Sequence, residues 1–338
     1  MWFNLVMKNH GATSAGEYLA PLTDYMRAAL GKCGHETTLV HDEIYPKAIN
    51  VFFEYFPDEV FIRQILDLRK SHALKIGVIA TELMVGGTIP YGKHGMLWDG
   101  DKETFFRRRV AGFDRFARGV DFVWSWLERT AHEYRDCGPV SRFFPVGHVF
   151  DRPGPLRRAP KNIDVIFFGT RTPHRTAVLE SFRAQGIEVL CVGRDFPVGY
   201  LSKSYLDSLM DRAKIGLNLN LHAEHDTVGA IDPRFASCMR ITEMLGRELC
   251  IVSEDIPLDN PYRDFMHSDS PELLAGKCKD LLSSGGWQQA GVLAAARFRS
   301  QMNVLDVCKP VIDDTVANIF QRAATSVEAA NHAMQFDK

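Results

Sequence analysis

The sequence has no long hydrophobic run, no paired cysteine motif and no excess of charge of either sign. No stretch approaches the roughly 18 consecutive apolar residues of a membrane-spanning helix, and no basic segment precedes an apolar core at the amino terminus, so neither an integral membrane protein nor a secretory signal is expected. The 7 cysteines include no Cys-x-x-Cys pair, which excludes a zinc ribbon and predicts reduced thiols in a cytoplasm. With 40 Lys and Arg against 42 Asp and Glu, a bulk nucleic-acid binder is not expected.

What is present is an ordinary globular composition, with 46% hydrophobic and 24% charged residues in a chain of 338. That length predicts about two domains. Apolar strands alternate with amphipathic helices in a first domain over residues 1–150 and again in a second over 151–310. The second domain opens with a Pro- and Arg-rich linker over 151–160. We therefore predict two α/β domains with doubly wound parallel sheets, followed by a helical tail over 311–338.

The first strand-end loop of the second domain has the composition of an anion site. In doubly wound sheets, ligands bind at the carboxyl ends of strands. Here Gly169, Thr170 and Arg171 follow a strand, and Arg175 lies four residues after Arg171 at the start of a helix. A helix amino terminus and guanidinium groups both favour a diphosphate. The alternative is a tight strand-helix turn with solvent-facing arginines.

A second loop leads into a helix with a more specific pattern. Ser237 is a candidate N-cap, which leaves the amides from Cys238 onwards free to face an anion. Arg240 and Glu243 follow within two turns on about the same face, so a carboxylate there suits the two hydroxyls of a ribose. The alternative is an amphipathic helix with an Arg-Glu surface pair worth about 0.3 kcal/mol.

Acceptor chemistry is predicted in two loops of the first domain. One contains His10, Gly11 and Ser14 after the first strand, and it lacks the full Gly-x-Gly-x-x-Gly of a dinucleotide site. The other is glycine-rich: Glu82, directly after a buried strand, is the first candidate for a general base and His94 is the second. Either side chain could instead be a structural hydrogen-bonding group.

Two further features have competing interpretations. A polar cluster, His222 to Asp226, resembles a metal site, but its spacing in a loop favours a segment near the substrate. The helix containing Arg107–Arg109 is basic and amphipathic, which fits either contact with an anionic membrane or lipid-phosphate acceptor, or ordinary core packing with a solvated charged face.

The pattern Ser-x-x-Arg-x-x-Glu-x-x-x-x-Gly before an apolar strand resembles the nucleotide-sugar motif of GT-B glycosyltransferases. The similarity is greatest to their group-1-like branch, which includes the spore-maturation CgeB-like proteins. Three more segments match that branch in order, at 144–147, 164–170 and 204–218. The resemblance spans about residues 140–290. It implies two Rossmann-like domains facing each other across a cleft, with the donor on the second, the acceptor on the first, and the last helices crossing back to the first.

Carried over to this chain, the family pattern implies roles for the candidate residues. Glu243 would bind the nucleotide ribose, with Arg240, Ser237 and nearby amides on the diphosphate. Arg171, with Arg175, would neutralise the departing nucleoside diphosphate without a metal or other cofactor. The Glu-x7-Glu spacing of common retaining members is absent, because Ala236 stands seven residues before Glu243. The resemblance therefore leaves inversion or retention open.

The sequence thus predicts a cytoplasmic glycosyltransferase that takes a nucleoside diphosphate sugar and a glycan, lipid-linked or small-molecule hydroxyl acceptor. No nucleic-acid partner is expected, and peripheral membrane contact stays an option through the basic helix. Two rivals remain: a nucleotide-sugar epimerase on the same fold, and a non-catalytic nucleotide-sugar-binding protein.

Overall fold

The computed structural model of the protein describes residues 1–7, 15–53, 59–82, 84, 102–149, 160–221, 238–258 and 260–336. These residues form two compact units. The first unit contains the described residues up to Val149 together with the chain from Val304 onwards, and the second contains those from Pro160 to Asn303. The chain thus returns to the first unit at Val304.

Parallel strands form the sheet of the first unit. In chain order its elements before Val149 are β1 (Trp2–Met7), α1 (Ala15–Lys32), β2 (Glu36–His41), β3 (Ile49–Phe53), α2 (Glu59–His72), β4 (Lys75–Ala80), α3 (Lys102–Gly119), β5 (Phe122–Ser125), α4 (Glu128–Glu133) and β6 (Val140–Phe143). The strand order is β2-β1-β3-β4-β5-β6, and every neighbouring pair is parallel. Apolar runs predicted β1 to β5. The short elements α4 and β6 were not predicted.

The second unit repeats this architecture. Its elements are β7 (Ile163–Phe168), α5 (Pro173–Ala184), β8 (Val189–Val192), α6 (Lys203–Arg212), β9 (Ala213–Asn218), α7 (Cys238–Leu245), β10 (Cys250–Glu254), β11 (His267–Asp269), α8 (Leu274–Ser284) and α9 (Gly286–Gln301). The strands are parallel in the order β11-β10-β9-β7-β8. Phe167, Phe182 and Leu217 are fully buried between sheet and helices. Two α/β units, each built on a parallel sheet, confirm the predicted fold class.

The end of the chain completes the first unit. It forms α10 (Val304–Val307) and α11 (Lys309–Phe336). The buried indole of Trp124 on β5 donates from Nε1 to Oγ1 of Thr315 at 3.0 Å. On β6, Nε of Arg142 lies 2.7 Å from Oδ2 of Asp314. Helix α11 therefore packs on β5 and β6 through both buried and exposed contacts.

The basic helix α3 packs into the core of the first unit. Phe113 and Phe116 on this helix are fully buried. On the exposed side, Nη1 of Arg115 lies 3.3 Å from Oε2 of Glu59 on α2. These contacts match the core-packing interpretation, with a charged solvated face. No described helix is long and apolar enough to cross a membrane.

Candidate functional site

Two glycines allow the strand ends of the second unit to approach each other. Gly169 follows β7 with φ +155° and Gly193 follows β8 with φ +126°, backbone angles that favour glycine. A Cβ on Gly193 would lie 2.3 Å from the carbonyl oxygen of Gly169. A Cβ on Gly169 would lie 2.7 Å from Nη2 of Arg240. The absent side chains therefore leave room for the Arg240 guanidinium at the carboxyl end of β7.

Arg240, in the first turn of α7, forms no ion pair in the described part of the chain, although the charge of Glu243 acts on it. Its guanidinium lies 5.3 Å from the ring centroid of Phe167 and 5.7 Å from that of Phe168. Nη1 donates to Oδ1 of Asn218 at 3.2 Å, whereas Nε has no described hydrogen-bond partner. Burial lowers the pKa of Arg240 to about 10. A bound anion would offset this cost of burying the charge.

Arg175 brings a second guanidinium to the same place. Its Nη1 lies 3.4 Å from the position that a Cβ on Gly169 would take. Its Nε, Nη1 and Nη2 each donate to a backbone carbonyl, at 2.9, 2.8 and 2.8 Å, those of Asn220, Thr170 and Leu219. Burial, and then the charge of Arg240, lower the pKa of Arg175. This side chain therefore joins the strand-end loops, and its role beside a diphosphate stays a prediction.

Arg171 is the more accessible cation of this loop. Its side chain is half-buried, and its Nε donates to Oγ1 of Thr176 at 3.2 Å. The amide of Arg171 donates to the carbonyl of Arg194 at 2.9 Å, which holds the loop against the residues after β8. Thr172 caps α5 by accepting from the amide of Arg175 at 3.2 Å. The loop therefore presents Arg171 just before a capped helix amino terminus.

Glu243 is mostly buried on α7, with 16% of its side chain exposed. Its Oε1 lies 3.4 Å from Nζ of Lys203 at the start of α6. Burial raises the pKa of Glu243, and the charges of Lys203 and Arg247 oppose that rise. The alternative of a surface pair with Arg240 is not what the structure shows, because the partner of Glu243 comes from another helix.

The remaining residue predicted on this helix contributes no charge. Cys238 begins α7, and burial raises the pKa of its thiol to about 12, so it stays protonated near neutral pH. Its contribution is limited to the backbone. Ser237, the predicted N-cap, lies outside the described residues.

Of the predicted acceptor-side residues, Glu82 is described. It follows β4, and its Oε1 accepts from Nη2 of Arg109 at 3.0 Å, with 26% of the side chain exposed. A general base there would act beside an arginine. The other acceptor-side predictions lie outside the described residues: His10, Gly11, Ser14, His94 and the polar cluster at 222–226.

A buried carboxylate at the end of β10 was missed by the sequence analysis. Nε2 of His174 lies 2.6 Å from Oε1 of Glu254, whose side chain is 2% exposed. The other carboxylate oxygen, Oε2, accepts from the amide of Asn220. A charged residue that ends an apolar strand requires such partners, and this was the available signal. Lys203 was also missed, because its partner lies 40 residues along the chain and leaves no local pattern.

Solved structures share this architecture. An alpha-glucosyltransferase in complex with UDP and a 13-mer DNA containing a HMU base superposes with a TM-score of 0.62 at 12% identity, covering 94% of this chain and 99% of that one. T4 phage BGT with UDP-glucose gives 0.55 at 12% identity, covering 93% and 99%. A glycosyltransferase from Rickettsia africae ESF-5 gives 0.51 at 10% identity, covering 94% and 98%. The fold is GT-B.

At 12% identity or less, the likeness establishes the GT-B fold alone. The substrates must be inferred from the chemistry of the site. No protein-family model matches the chain, and no curated protein matches it in sequence. The candidate site lies at the carboxyl ends of β7, β8 and β9 in the second unit, where strand-end loops bind ligands in doubly wound sheets.

Proposed function

We propose that the protein is a glycosyltransferase that transfers a sugar from a nucleoside diphosphate sugar to a hydroxyl group. The observation that carries this proposal is the convergence of Arg240 and Arg175 on Gly169, where Arg240 forms no described ion pair. Two buried cations side by side are stabilised by an anion with more than one negative charge. A diphosphate supplies that charge, and two of the neighbours described above, the alpha-glucosyltransferase and T4 phage BGT, were solved with UDP and UDP-glucose, respectively.

In the proposed reaction, charge builds up on the diphosphate. The acceptor oxygen attacks the anomeric carbon, the bond from that carbon to the β-phosphate oxygen breaks, and the electron pair stays on the diphosphate. Arg240 and Arg171 stabilise this charge, with the amides at the start of α7, and no metal is required for it. Glu243 accepts hydrogen bonds from the ribose. The acceptor proton passes to a base, for which Glu82 and His94 are the candidates.

Finer assignments rest on the sequence. We propose that the chain belongs to the CgeB-like, group-1-like branch, because its ordered motifs resemble that branch. The scattered free cysteines support a cytoplasmic location. We propose a glycan, lipid-linked or small-molecule acceptor in glycoconjugate biosynthesis. Because the alpha-glucosyltransferase was solved with DNA, DNA with hydroxymethylated bases belongs in the acceptor screen, although the near-neutral net charge of -2 disfavours it.

Calorimetric titration with UDP, GDP, ADP, CMP and dTDP tests the donor site, with EDTA present to test metal independence. We expect Arg240→Gln to weaken binding of the preferred nucleotide by about 10- to 100-fold, because a charge-assisted hydrogen bond contributes about 1.5–3 kcal/mol. Arg212→Gln is the matched control: Nε of Arg212 bonds Oδ1 of Asn162 at 2.9 Å in the same unit. The proposal fails if no nucleotide binds, or if the two variants bind alike.

Product analysis separates the rivals. With the preferred sugar nucleotide and a mixture of acceptors, a transferase releases the nucleoside diphosphate in proportion to glycosylated acceptor. An epimerase would instead change the sugar nucleotide when no acceptor is present. A non-catalytic binding protein would neither glycosylate an acceptor nor change the sugar nucleotide.

A further inference from the structure

A chain of alternating charges connects α6 to α7 and includes Glu243, the proposed ligand of the ribose. Lys203 lies 3.4 Å from Glu243, measured from Nζ to Oε1, and its ammonium group also bonds Oδ1 of Asp207. That same Oδ1 is 2.6 Å from Nη2 of Arg247, whose Nη1 donates to the carbonyl oxygen of Glu243 at 3.3 Å. Lys203 is therefore held in place by one carboxylate while it faces another.

Glu243 needs this neighbour because it is the most buried member of the chain of charges. Its side chain is 16% exposed, against 17% for Arg247, 29% for Asp207 and 44% for Lys203. The groups that act on Glu243 are Lys203 and Asp207 from α6, and Arg240 and Arg247 on or directly after α7. Of the two arginines, Arg247 points its Nη2 to Asp207 and Arg240 its Nη1 to Asn218. Among the described residues, the ammonium group of Lys203 is thus the cation within ion-pair distance of the Glu243 carboxylate.

We propose that Lys203 is a positioning residue for the nucleotide donor: it keeps the Glu243 carboxylate ionised and directs it towards the ribose hydroxyls. This inference rests on the proposed function. It makes donor affinity depend on pH through Glu243, because an ionised carboxylate accepts two hydroxyl hydrogen bonds and a protonated one must donate its own proton.

The direction of the pH effect follows from burial and charge. Burial raises the pKa of Glu243, and Lys203 is the largest influence that lowers it. Donor affinity is therefore full above this pKa and is lost as the pH falls through it. Replacing Lys203 by a neutral residue raises the pKa further, so the loss begins at a higher pH. The midpoint of the affinity profile reports this role directly.

The experiment is calorimetric titration of UDP, or of the nucleotide preferred in the panel, between pH 5 and 8.5. It compares the wild type with Lys203→Met, Lys203→Arg and Lys277→Met. Lys277 is the matched control, because its Nζ pairs with Oδ2 of Asp269 at 2.8 Å in the same unit, and its side chain is 31% exposed against 44% for Lys203. We expect Lys203→Met to move the affinity midpoint upwards by about one pH unit or more, since an opposite charge at this range shifts a carboxyl pKa by about 1–3 units. Lys203→Arg should restore the wild-type midpoint.

The other outcomes each have a distinct meaning. An unchanged midpoint with an equal loss of affinity at every pH would show that Lys203 contacts the phosphate itself, which overturns the positioning role. Equal profiles for Lys203→Met and Lys277→Met would also overturn it, while the proposed function stands. If the wild type binds no nucleotide at any pH, the proposed function fails, and the role of Lys203 fails with it.

Discussion

Arg175 and Arg240 lie side by side, yet their surroundings give them different tasks. Arg175 donates three hydrogen bonds to backbone carbonyls and is 5% exposed. Arg240 rests on two aromatic rings, and its one described hydrogen bond goes to Asn218. Arg175 therefore stabilises the loops, whereas Arg240 has further N–H donors that a ligand could accept from.

This contrast predicts that replacing Arg175 mainly lowers stability, whereas replacing Arg240 mainly weakens nucleotide binding. Arg175→Met should lower the free energy of unfolding by about 3 kcal/mol, because it leaves buried carbonyl oxygens without donors. Arg240→Gln should cost about 1 kcal/mol or less, while weakening nucleotide binding. Urea unfolding followed by circular dichroism measures both. Equal losses of stability would contradict the distinction.

Close packing of helix α9 depends on one glycine. A Cβ on Gly291 would lie 2.2 Å from the carbonyl oxygen of Glu248 and 2.9 Å from the amide nitrogen of Cys250. The helix therefore contacts the backbone at the start of β10 directly. Gly276 in α8 differs, because a Cβ there would meet no atom within 4 Å.

These two helical glycines form a matched pair for a stability experiment. Gly291→Ala should destabilise the protein by about 2 kcal/mol, since the added methyl group forces α9 away from the backbone of Glu248 and Cys250. Gly276→Ala should stabilise it by about 0.5–1 kcal/mol, the usual advantage of alanine within a helix. Chemical unfolding of both variants gives the sign of each change. Stabilisation by both substitutions would show that α9 does not pack as described.

On the scale of the whole molecule, one buried contact that stabilises the protein lies in a different unit from the proposed donor site. Thr315 on α11 accepts the buried indole N–H of Trp124 in the first unit. The arginines of the proposed donor site lie in the second. Loss of the hydrogen bond between Trp124 and Thr315 should therefore lower stability without altering affinity for the nucleotide.

We expect Thr315→Val to cost about 1–3 kcal/mol of unfolding free energy, because the Trp124 N–H is left buried without an acceptor. Nucleotide affinity at 20 °C should match the wild type. Tryptophan fluorescence follows the unfolding, and calorimetry measures the affinity. Asn318→Ala, which removes an exposed bond to Asp314 on the same helix, is the control. A fall in affinity that parallels the loss of stability would contradict this separation.

Element prediction succeeded where a strand has its own apolar pattern and failed where pairing alone defines it. The five residues of β3 are all buried, and their side chains indicate a strand without further information. In β11, by contrast, His267–Asp269 is polar and becomes a strand through its parallel pairing with β10. The four-residue strand β6 and the six-residue helix α4 are also too short to show a period.

The sequence by itself determined the class of fold and the local form of the site: strand-end glycine at 169, helix start at 238, and Arg240 and Glu243 on one helix. These features arise from hydrophobic periodicity and turn chemistry, which act over a few residues. Tertiary structure alone decided that Arg175 supports the loops and that Lys203 faces Glu243. Both contacts join residues about 40 or more positions apart, so they exist only once parallel pairing and helix packing have brought those segments together.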